Sequence, residues 1–309
     1  MSINNNFFLT IRDGFGNKIY RIIIGLYLQQ INNKKFNSIV RISKHENKND
    51  FDIFTIFPKL KQHIILFETY EDIDKEIPIN NRIDISCTDD FNFNINTYDK
   101  VPFITRGSKC FKYVFDIFHK LEYKYKKTFI INQNLISKYI TEFTKSKYVL
   151  IHIRYGDKLN ISYKPGKYTN RFTYLMYTPN YYIKMIKYFQ NKNKKILIIS
   201  DDNTIVKKFI LNKVNNNNVT LIDSNFLDSF YLLTKATYIV LSVSTFSFLG
   251  TLINLNLKKA YYLKRPTEIY KFITPEEAQL NDKRIKIYEN KKYILNYYKD
   301  LMKTMINSR

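Results

Sequence analysis

Three short segments of the sequence place charged or hydroxyl residues directly after apolar runs that predict buried strands. In the first, His152 and Arg154 lie at the end of the run YVLIHI, and a Gly-Asp turn closes the segment at Asp157. A planar guanidinium there can grip a diphosphate through two hydrogen bonds and neutralise charge on a leaving phosphate. Asp157 can hold that guanidinium or cap the turn. The competing interpretation is an Arg–Asp pair that only fixes the turn.

Two adjacent carboxylates follow the next apolar run, KILIIS, in the segment Ser200-Asp201-Asp202. Carboxylates at a strand end commonly contact the ribose or the base of a nucleotide. Either aspartate is also a suitable N-cap for a helix that begins there. Two adjacent aspartates without further ligands are a weak metal signal, and the four scattered histidines have no zinc-binding spacing.

Hydroxyl residues crowd the third segment, SVSTFSFLG over residues 242–250, where an apolar run passes into a predicted helix. Free N–H groups, the helix dipole and Ser or Thr hydroxyls together can bind a phosphate. An ordinary helix cap needs one hydroxyl, whereas this turn offers four: Ser242, Ser244, Thr245 and Ser247.

Alternating strands and helices must position these segments. From residue 147 onward, continuous apolar strands alternate with helices, which is typical of a parallel sheet covered on both faces. Near the N-terminus, the run FFLTI, a turn over residues 12–17 and an apolar helix over 18–30 predict the opening unit of a dinucleotide-type fold. The acidic stretch 71–100 is expected to be rich in loops. The spacing of the Tyr, Ile and Leu residues over 283–306 predicts a closing helix.

These elements predict two α/β halves that meet near residue 145, in keeping with a length of 309 residues. Ligands of such sheets bind at the carboxyl ends of the strands, where the three polar segments are expected to lie.

The formal net charge of +23 raises the alternative of a nucleic-acid-binding protein. Lys, Asn, Ile, Tyr and Phe are abundant, however, and all five have codons made only of A and T. The basic residues are also dispersed, with no block longer than pairs such as Lys194-Lys195 and Lys258-Lys259. We therefore expect no nucleic-acid partner, while an anionic small ligand such as a nucleotide diphosphate remains favoured.

The compartment follows from the cysteines and from hydropathy. Cys87 and Cys110 fit a reducing environment, because two cysteines make no disulfide framework. No apolar run approaches the roughly 18 residues that a membrane span needs. The sequence predicts a soluble, unanchored, cytoplasmic protein, in the host cytoplasm if its source is a virus.

The motifs resemble those of glycosyltransferase family 11, the alpha-1,2-fucosyltransferases of the inverting fucosyltransferase superfamily. The family has a His-x-Arg-Arg-Gly-Asp strand end and a Ser-Asn-Ser-Ser-Phe-Ser-Trp-Trp-Gly turn. Similar segments occur here in the same order: GFGNKIYR (14–21), HIRYGD (152–157), TPNYY (178–182), ISDD (199–202), DSFYLLTKA (228–236) and SVSTFSFLG (242–250).

The resemblance implies a GT-B type α/β fold of two Rossmann-like domains facing a cleft. Residues 1–145 would form the acceptor-side domain, and residues 146–309, with a closing C-terminal helix, the nucleotide-sugar domain. It further implies GDP-fucose as donor, a carbohydrate or glycoconjugate as acceptor, and no metal or other cofactor. Arg154 would contact the donor β-phosphate. The remaining donor-binding residues would be Gly14, Gly16, Asn17, His152, Gly156, Asp157, Ser200, Asp201, Asp202, Asp228, Ser244, Thr245, Phe246 and Ser247.

The expected reaction is inverting transfer, with Asp13 as the candidate general base. An equally good role for Asp13 is to brace the turn that follows it. The chain departs from the family at Tyr155, which replaces the second Arg of the motif, and at Phe248-Leu249, which replaces the Trp pair. These departures leave open a transferase for another nucleotide sugar or a catalytically weakened relative that binds the donor.

Overall fold

The computed structural model divides between Leu135 and Ile136 into two compact units, each built on one parallel sheet. The structure describes residues 6–9, 15–33, 35–39, 53–67, 75, 78–86, 101–106, 114–156, 159, 176–263, 283–288, 290–293 and 299–308.

The first unit contains a sheet of five parallel strands in the order β3-β2-β1-β5-β4. The central strand β1 is buried at Phe7, Phe8 and Leu9, so it lies in the core of this unit. The strands are β1 (Asn6–Leu9), β2 (Lys35–Ile39), β3 (Ile64–Phe67), β4 (Arg82–Ser86) and β5 (Val101–Arg106).

Helix α1 (Phe15–Asn32) is the longest helix among the described residues, and most of its side chains are buried. It begins at Phe15, so Gly16 and Asn17 lie in its first turn rather than in the longer turn expected from the sequence. The other helices of this unit are α2 (Ile53–Ile56), α3 (Val114–Lys120) and α4 (Tyr123–Lys126), with 3-10 turns at Pro58–Gln62, Ile79–Asn81, Lys127–Phe129 and Gln133–Leu135.

The second unit contains a sheet of six parallel strands in the order β11-β10-β9-β6-β7-β8. Counted from β6, this is the 3-2-1-4-5-6 order of dinucleotide-binding sheets. The strands are β6 (Val149–Ile153), β7 (Ile196–Ser200), β8 (Val219–Leu221), β9 (Tyr238–Val240), β10 (Lys259–Leu263) and β11 (Ile285–Tyr288).

Helices connect these strands in the alternation that the sequence predicts. Strand β6 is buried along its whole length, because the inner strands of a sheet covered on both faces meet no solvent. The helices are α5 (Lys138–Thr144), α6 (Pro179–Gln190), α7 (Asn203–Phe209), α8 (Phe226–Lys235), α9 (Thr245–Ile253) and α10 (Lys299–Ile306), with 3-10 turns at Leu211–Lys213 and Lys291–Tyr293.

Two parallel α/β units confirm the fold class predicted from the sequence, two Rossmann-like domains of the GT-B type. One local prediction is wrong: the stretch 283–306 is not one helix, because β11 occupies its start. The stretch 71–100, expected to be rich in loops, contains β4 among its described residues. Strand β11 alternates apolar Ile285 and Ile287 with Lys286, and this period of two suits an edge strand.

Helices α8 and α9 approach closely through a glycine. A Cβ placed on Gly250 would stand 2.5 Å from the Cβ of Leu233, so only glycine fits this contact. The side chain of Asn254 ties the two helix ends together by donating to the carbonyl oxygens of Leu233 and Ala236, each at 2.8 Å. This packing fixes where α9 begins, at the carboxyl edge of β9. Among the described helices, none is long and apolar enough to cross a membrane.

Candidate functional site

The second sheet has its topological switch point between β6 and β9, which are neighbours and lead into connections on opposite sides. Ligands of open α/β sheets bind in the crevice outside the carboxyl ends of such a pair. His152 lies near the end of β6 and Ser242 follows β9, and the two meet across this point. The Nδ1 atom of His152 lies 2.6 Å from Oγ of Ser242, and both side chains are buried.

His152 is an uncharged imidazole at neutral pH. Burial, and to a smaller extent the nearby positive charge of Arg154, lower the pKa of His152 to about 3. A neutral imidazole carries one N–H donor and one acceptor nitrogen. Since Nδ1 is engaged by Ser242, the hydroxyl fixes the orientation of the ring.

This neutral histidine predicts a pH dependence of stability. The unfolded chain takes up a proton near the ordinary histidine pKa of 6.5, whereas folded His152 resists protonation until about pH 3. The contribution of His152 to the free energy of unfolding is therefore fully present above pH 6.5. It falls as the pH drops below this value, by up to about 1.4 kcal/mol per pH unit. Denaturant unfolding from pH 7.5 to pH 4.5 measures the slope. The variant His152→Asn should be less sensitive to acid than the parent protein; two parallel curves would contradict the assignment.

Arg154 and Asp201 form the charged part of the site. The Nε atom of Arg154 lies 4.0 Å from Oδ2 of Asp201, and each side chain is about one third exposed. The other carboxylate oxygen, Oδ1, accepts hydrogen bonds from the backbone N–H of Tyr155 at 2.8 Å and of Gly156 at 3.0 Å. Asp201 thus connects the end of β7 to the turn that follows β6. It fixes the backbone that directly follows Arg154.

Gly156 leaves no room for a side chain at this turn. A Cβ added to Gly156 would stand 2.7 Å from Cγ of Asp201 and nearer still to its Oδ2 atom. Any larger residue would push the carboxylate away from the two N–H groups that it accepts from. The glycine of the HIRYGD segment is therefore required by the close approach of Asp201.

Asp202 is the N-cap of α7, which is the competing interpretation raised by the sequence. Its carboxylate accepts a hydrogen bond from the N–H of Ile205 at 3.1 Å. Its own N–H donates to the hydroxyl of Ser200 at 3.0 Å. Two of the three residues in the Ser200-Asp201-Asp202 segment thus order the start of the helix.

Most hydroxyls in and before the first turn of α9 form hydrogen bonds within the protein. Ser244 is the N-cap and accepts from the N–H of Phe246 at 3.3 Å, and buried Ser247 lies within bonding distance of the carbonyl oxygens of Ser242 and Ser244. Thr245 differs, because its side chain is half-buried and makes no hydrogen bond within the described part of the chain. Of the four hydroxyls that the sequence singles out, Thr245 is best placed to reach a ligand.

An aromatic surface adjoins the start of α9. The ring centroid of Phe246 lies 5.1 Å from that of Phe226, 5.4 Å from Phe230 and 5.5 Å from the imidazole of His152. Phe246 is half-buried and Phe226 is exposed. Such a surface can stack against the flat face of a base or the apolar face of a sugar.

Asp228 is occupied by contacts within the second unit. Its carboxylate accepts from the N–H and the hydroxyl of Ser137 at 2.9 Å and 2.5 Å, and from the side-chain amide of Asn225 at 3.0 Å. The residue is buried at the start of α8, where the two bonds from Ser137 attach the helix to the segment that precedes α5, while the bond from Asn225 stays within the cap of α8 itself. Its assignment to the donor stays a prediction.

Tyr155, which stands in place of a second arginine, lies in the hydrophobic core. It is fully buried, and its hydroxyl donates to the carbonyl oxygen of Tyr177 at 2.8 Å. Burial raises its pKa well above the ordinary value, so the phenol stays neutral. Position 155 therefore contributes packing, against a group of tyrosines that includes Tyr182, and no positive charge.

The remaining candidates fall outside this arrangement. Gly16 and Asn17 belong to the first unit, at the start of α1. Asp13, Gly14 and Asp157 lie outside the described residues. Among the described residues, no group of three or more His, Cys, Asp or Glu side chains is arranged to hold a metal ion.

Two features of the site were not predicted from the sequence. One is the bond between His152 and Ser242, and the other is the use of Asp201 to hold the turn after β6. A partial signal exists for both, since parallel strands bring residues at their carboxyl ends to one edge. The order of the strands in the sheet, which decides which ends are neighbours, is not readable from residue types.

Comparison with known proteins gives one family match. The model of Glycosyl transferase family 11 matches residues 90–286, and no curated protein matches the sequence. The match contains every residue of the switch-point site.

Similar solved structures include three glycosyltransferases. POFUT1 in complex with GDP-fucose is 14% identical, with 82% of this chain and 95% of that chain covered and a TM-score of 0.47. A mutant of Arabidopsis thaliana FUT1 with GDP is 11% identical, with 85% and 70% covered and a TM-score of 0.48. The E. coli ADP-heptose lipopolysaccharide heptosyltransferase II is 11% identical, with 91% and 90% covered and a TM-score of 0.44. At these TM-scores the likenesses add nothing to the family match.

Proposed function

Because the chain belongs to glycosyl transferase family 11, we propose that this glycosyltransferase moves fucose from GDP-fucose to a glycan hydroxyl, with inversion and without a metal ion. The observation that carries the proposal is the placement of Arg154 and the first turn of α9 after the two strands that flank the switch point. Both features can oppose negative charge, and both lie where ligands of such sheets bind.

The proposed reaction is a single displacement. The acceptor hydroxyl oxygen bonds to the anomeric carbon of fucose while the bond from that carbon to the β-phosphate oxygen breaks. GDP leaves from the opposite face with the bonding electrons, and the proton of the acceptor passes to a general base. Asp13 remains the candidate base from the sequence and lies outside the described residues.

Negative charge develops on the leaving diphosphate in the transition state. The site must stabilise this charge to lower the activation barrier. Arg154 lies directly before a turn that Asp201 fixes, and its Nε atom is 4.0 Å from the same carboxylate, so little reorganisation is needed when charge develops. The N–H groups of the first turn of α9 and the hydroxyl of Thr245 are the second source of stabilisation. We propose that these two sources do the work that a divalent cation does in metal-dependent transferases.

The base of the donor is proposed to rest on the aromatic surface formed by Phe246 and Phe226. The neutral His152 beside it offers a ring nitrogen for a polar contact with the nucleotide. An uncharged imidazole is well suited here, because a protonated one so close to Arg154 would repel the guanidinium.

The first test is a thermal-shift panel in the presence of EDTA. A ligand that binds only the folded protein at a hundred times its Kd adds about 2.7 kcal/mol of stability, which for a chain of this size raises the Tm by about 4 °C. We expect this rise with GDP and with GDP-fucose, and no comparable rise with UDP.

Each other outcome excludes part of the proposal. A rise with UDP alone would favour a transferase for another nucleotide sugar and exclude fucose from GDP-fucose. A rise that needs a divalent cation would contradict the metal-independent site. A rise with GDP-fucose but no transfer to any glycan in an acceptor screen would leave a donor-binding relative without catalysis.

A further inference from the structure

The amino edge of the second sheet carries a concentration of lysines. In the sequence these residues are scattered, as the pairs Lys194-Lys195 and Lys258-Lys259 and the single Lys147. Each lies immediately before or at the start of a strand: β6, β7 or β10. Because parallel strands all begin at the same edge, the fold gathers these lysines on the side opposite to the candidate donor site.

Three of these lysines line one cavity of about 130 Å³. The cavity extends over the starts of four adjacent strands in the order β10, β9, β6 and β7. Its lining residues are Lys147, Tyr148, Lys194, Thr237, Tyr238 and Lys258. Three lysines and two tyrosines thus contribute to the lining, and none of the described lining residues is acidic.

Backbone hydrogen bonds between the strands hold the cavity in shape. The N–H of Lys258 donates to the carbonyl of Thr237 at 2.9 Å, and the N–H of Thr237 donates to the carbonyl of Tyr148 at 3.1 Å. The N–H of Val149 donates to the carbonyl of Lys195 at 2.9 Å. The backbone from which the lysine side chains start is therefore held in place by the sheet.

In the part of the chain that the structure describes, the ammonium groups of Lys147, Lys194 and Lys258 form no ion pair. Like charges held close together repel one another, and an anion bound between them removes this repulsion.

We propose that this lysine cavity is a second ligand site, which binds a phosphate-bearing molecule independently of the donor. Lysine is a point-charge phosphate ligand with three donors, and several lysines together can contact the oxygens of one or two phosphate groups. Thr237 and Tyr238, which also line the cavity, are residues with a hydroxyl group. The shared chemistry fits both a free phosphate compound and the phosphate of a lipid headgroup.

One residue close in sequence to Lys258 distinguishes between a free phosphate compound and a lipid headgroup as the ligand. Leu255 precedes Lys258 by three positions and is 74% exposed, so an apolar side chain projects next to the cationic edge. A lipid headgroup held by the lysines would bring its acyl chains within reach of this leucine, whereas a free phosphate compound would not contact it.

The test compares a cavity variant with a charge-matched control. The cavity variant carries Lys147→Gln, Lys194→Gln and Lys258→Gln. The control carries Lys59→Gln, Lys61→Gln and Lys120→Gln, three exposed lysines of the first unit. Both lose three positive charges, so a difference between them reports the site rather than the net charge. All six side chains are exposed, and thermal melts verify that both variants fold.

Two probes are used without GDP, each with the parent protein, both triple variants and Arg154→Ala, so that pyrophosphate bound at the candidate donor site is recognised by its loss in Arg154→Ala. Calorimetry measures binding of inorganic pyrophosphate, and co-sedimentation measures binding to phosphatidylcholine vesicles with or without phosphatidylglycerol. We expect at least one probe to bind the parent protein and the control alike, and to bind the cavity variant about a hundredfold more weakly.

The outcomes are distinct. Vesicle binding that falls both in the cavity variant and in Leu255→Ser assigns the site to a lipid headgroup, while pyrophosphate binding without vesicle binding assigns it to a free phosphate compound. Equal losses in the cavity variant and the control would overturn the proposal, as would absence of binding to both probes. Binding of a single-stranded oligonucleotide alone would overturn it in favour of a nucleic-acid surface. None of these results depends on the GDP-fucose assignment, which the thermal-shift panel tests separately.

Discussion

Replacing Arg154 by alanine is expected to lower the rate constant of fucosyl transfer by about a thousandfold, with little change in stability. The guanidinium follows β6 at the switch point and is about one third exposed, so its removal leaves no cavity in the core. In the proposed reaction, the variant loses the positive charge that stabilises the leaving diphosphate. Transfer is measured with saturating GDP-fucose and a glycan identified by the acceptor screen, so that the loss appears in kcat.

Two further variants make this result specific. Arg154→Lys keeps the charge but loses the planar pair of donors, and its rate constant should lie between those of the parent protein and the alanine variant. Arg284→Ala removes a half-buried arginine whose Nη1 donates to the carbonyl of Asn254 at 3.0 Å, away from the switch point. It should keep parental turnover. If Arg154→Ala also keeps parental turnover, the assignment of Arg154 to the leaving group is wrong.

The centre of the second unit was predictable because its strands β6 and β7 are almost entirely apolar. Strand β6 is five buried residues, and β7 shows nearly the same pattern, so each appears in the sequence as an uninterrupted apolar run. A parallel sheet covered by helices on both faces requires such runs. The prediction of helices between them followed from the same alternation.

The first unit was less predictable, because several of its strands lack that signal. Strand β2 reads KFNSI and β4 reads RIDIS, each with only two apolar residues, and β5 carries a proline at position 102. Proline argues against an inner strand, yet β5 pairs with both β1 and β4. These strands are stabilised by neighbours distant in the sequence, and local residue patterns do not contain that information.

At the candidate site, residue types predicted the location better than the roles. The three polar segments do lie at the carboxyl ends of β6, β7 and β9, as the parallel alternation requires. Several of their polar atoms serve the protein itself, however. Asp202 caps α7, Ser244 caps α9, and Asp228 accepts three bonds from its neighbours. Whether a polar atom is consumed internally depends on its partners in space, which spacing along the chain does not give.

The role of Asp201 leads to the second large effect. We expect Asp201→Ala to lower kcat by about a hundredfold, because the turn that carries Arg154 loses its anchor and a shift of the guanidinium by about 1 Å is costly. The carboxylate accepts from the N–H groups of Tyr155 and Gly156, and alanine has no acceptor to replace it. The decrease should appear mainly in kcat, since the aromatic surface around Phe246 is unchanged and can still hold the nucleotide.

The matched variant Asp201→Asn separates the turn from the charge. Its amide oxygen can still accept both N–H bonds, while the negative charge beside Arg154 is gone. A pair that is 4.0 Å apart and one third exposed is worth less than about 1 kcal/mol, so turnover should stay within about fivefold of the parent value. Steady-state kinetics of the two variants decide between the roles. Equal losses in both would mean that the charge of Asp201 matters rather than the turn, and Asp201 would then be a partner of Arg154 or of the donor. A large loss in alanine alone is the result that the hydrogen bonds predict.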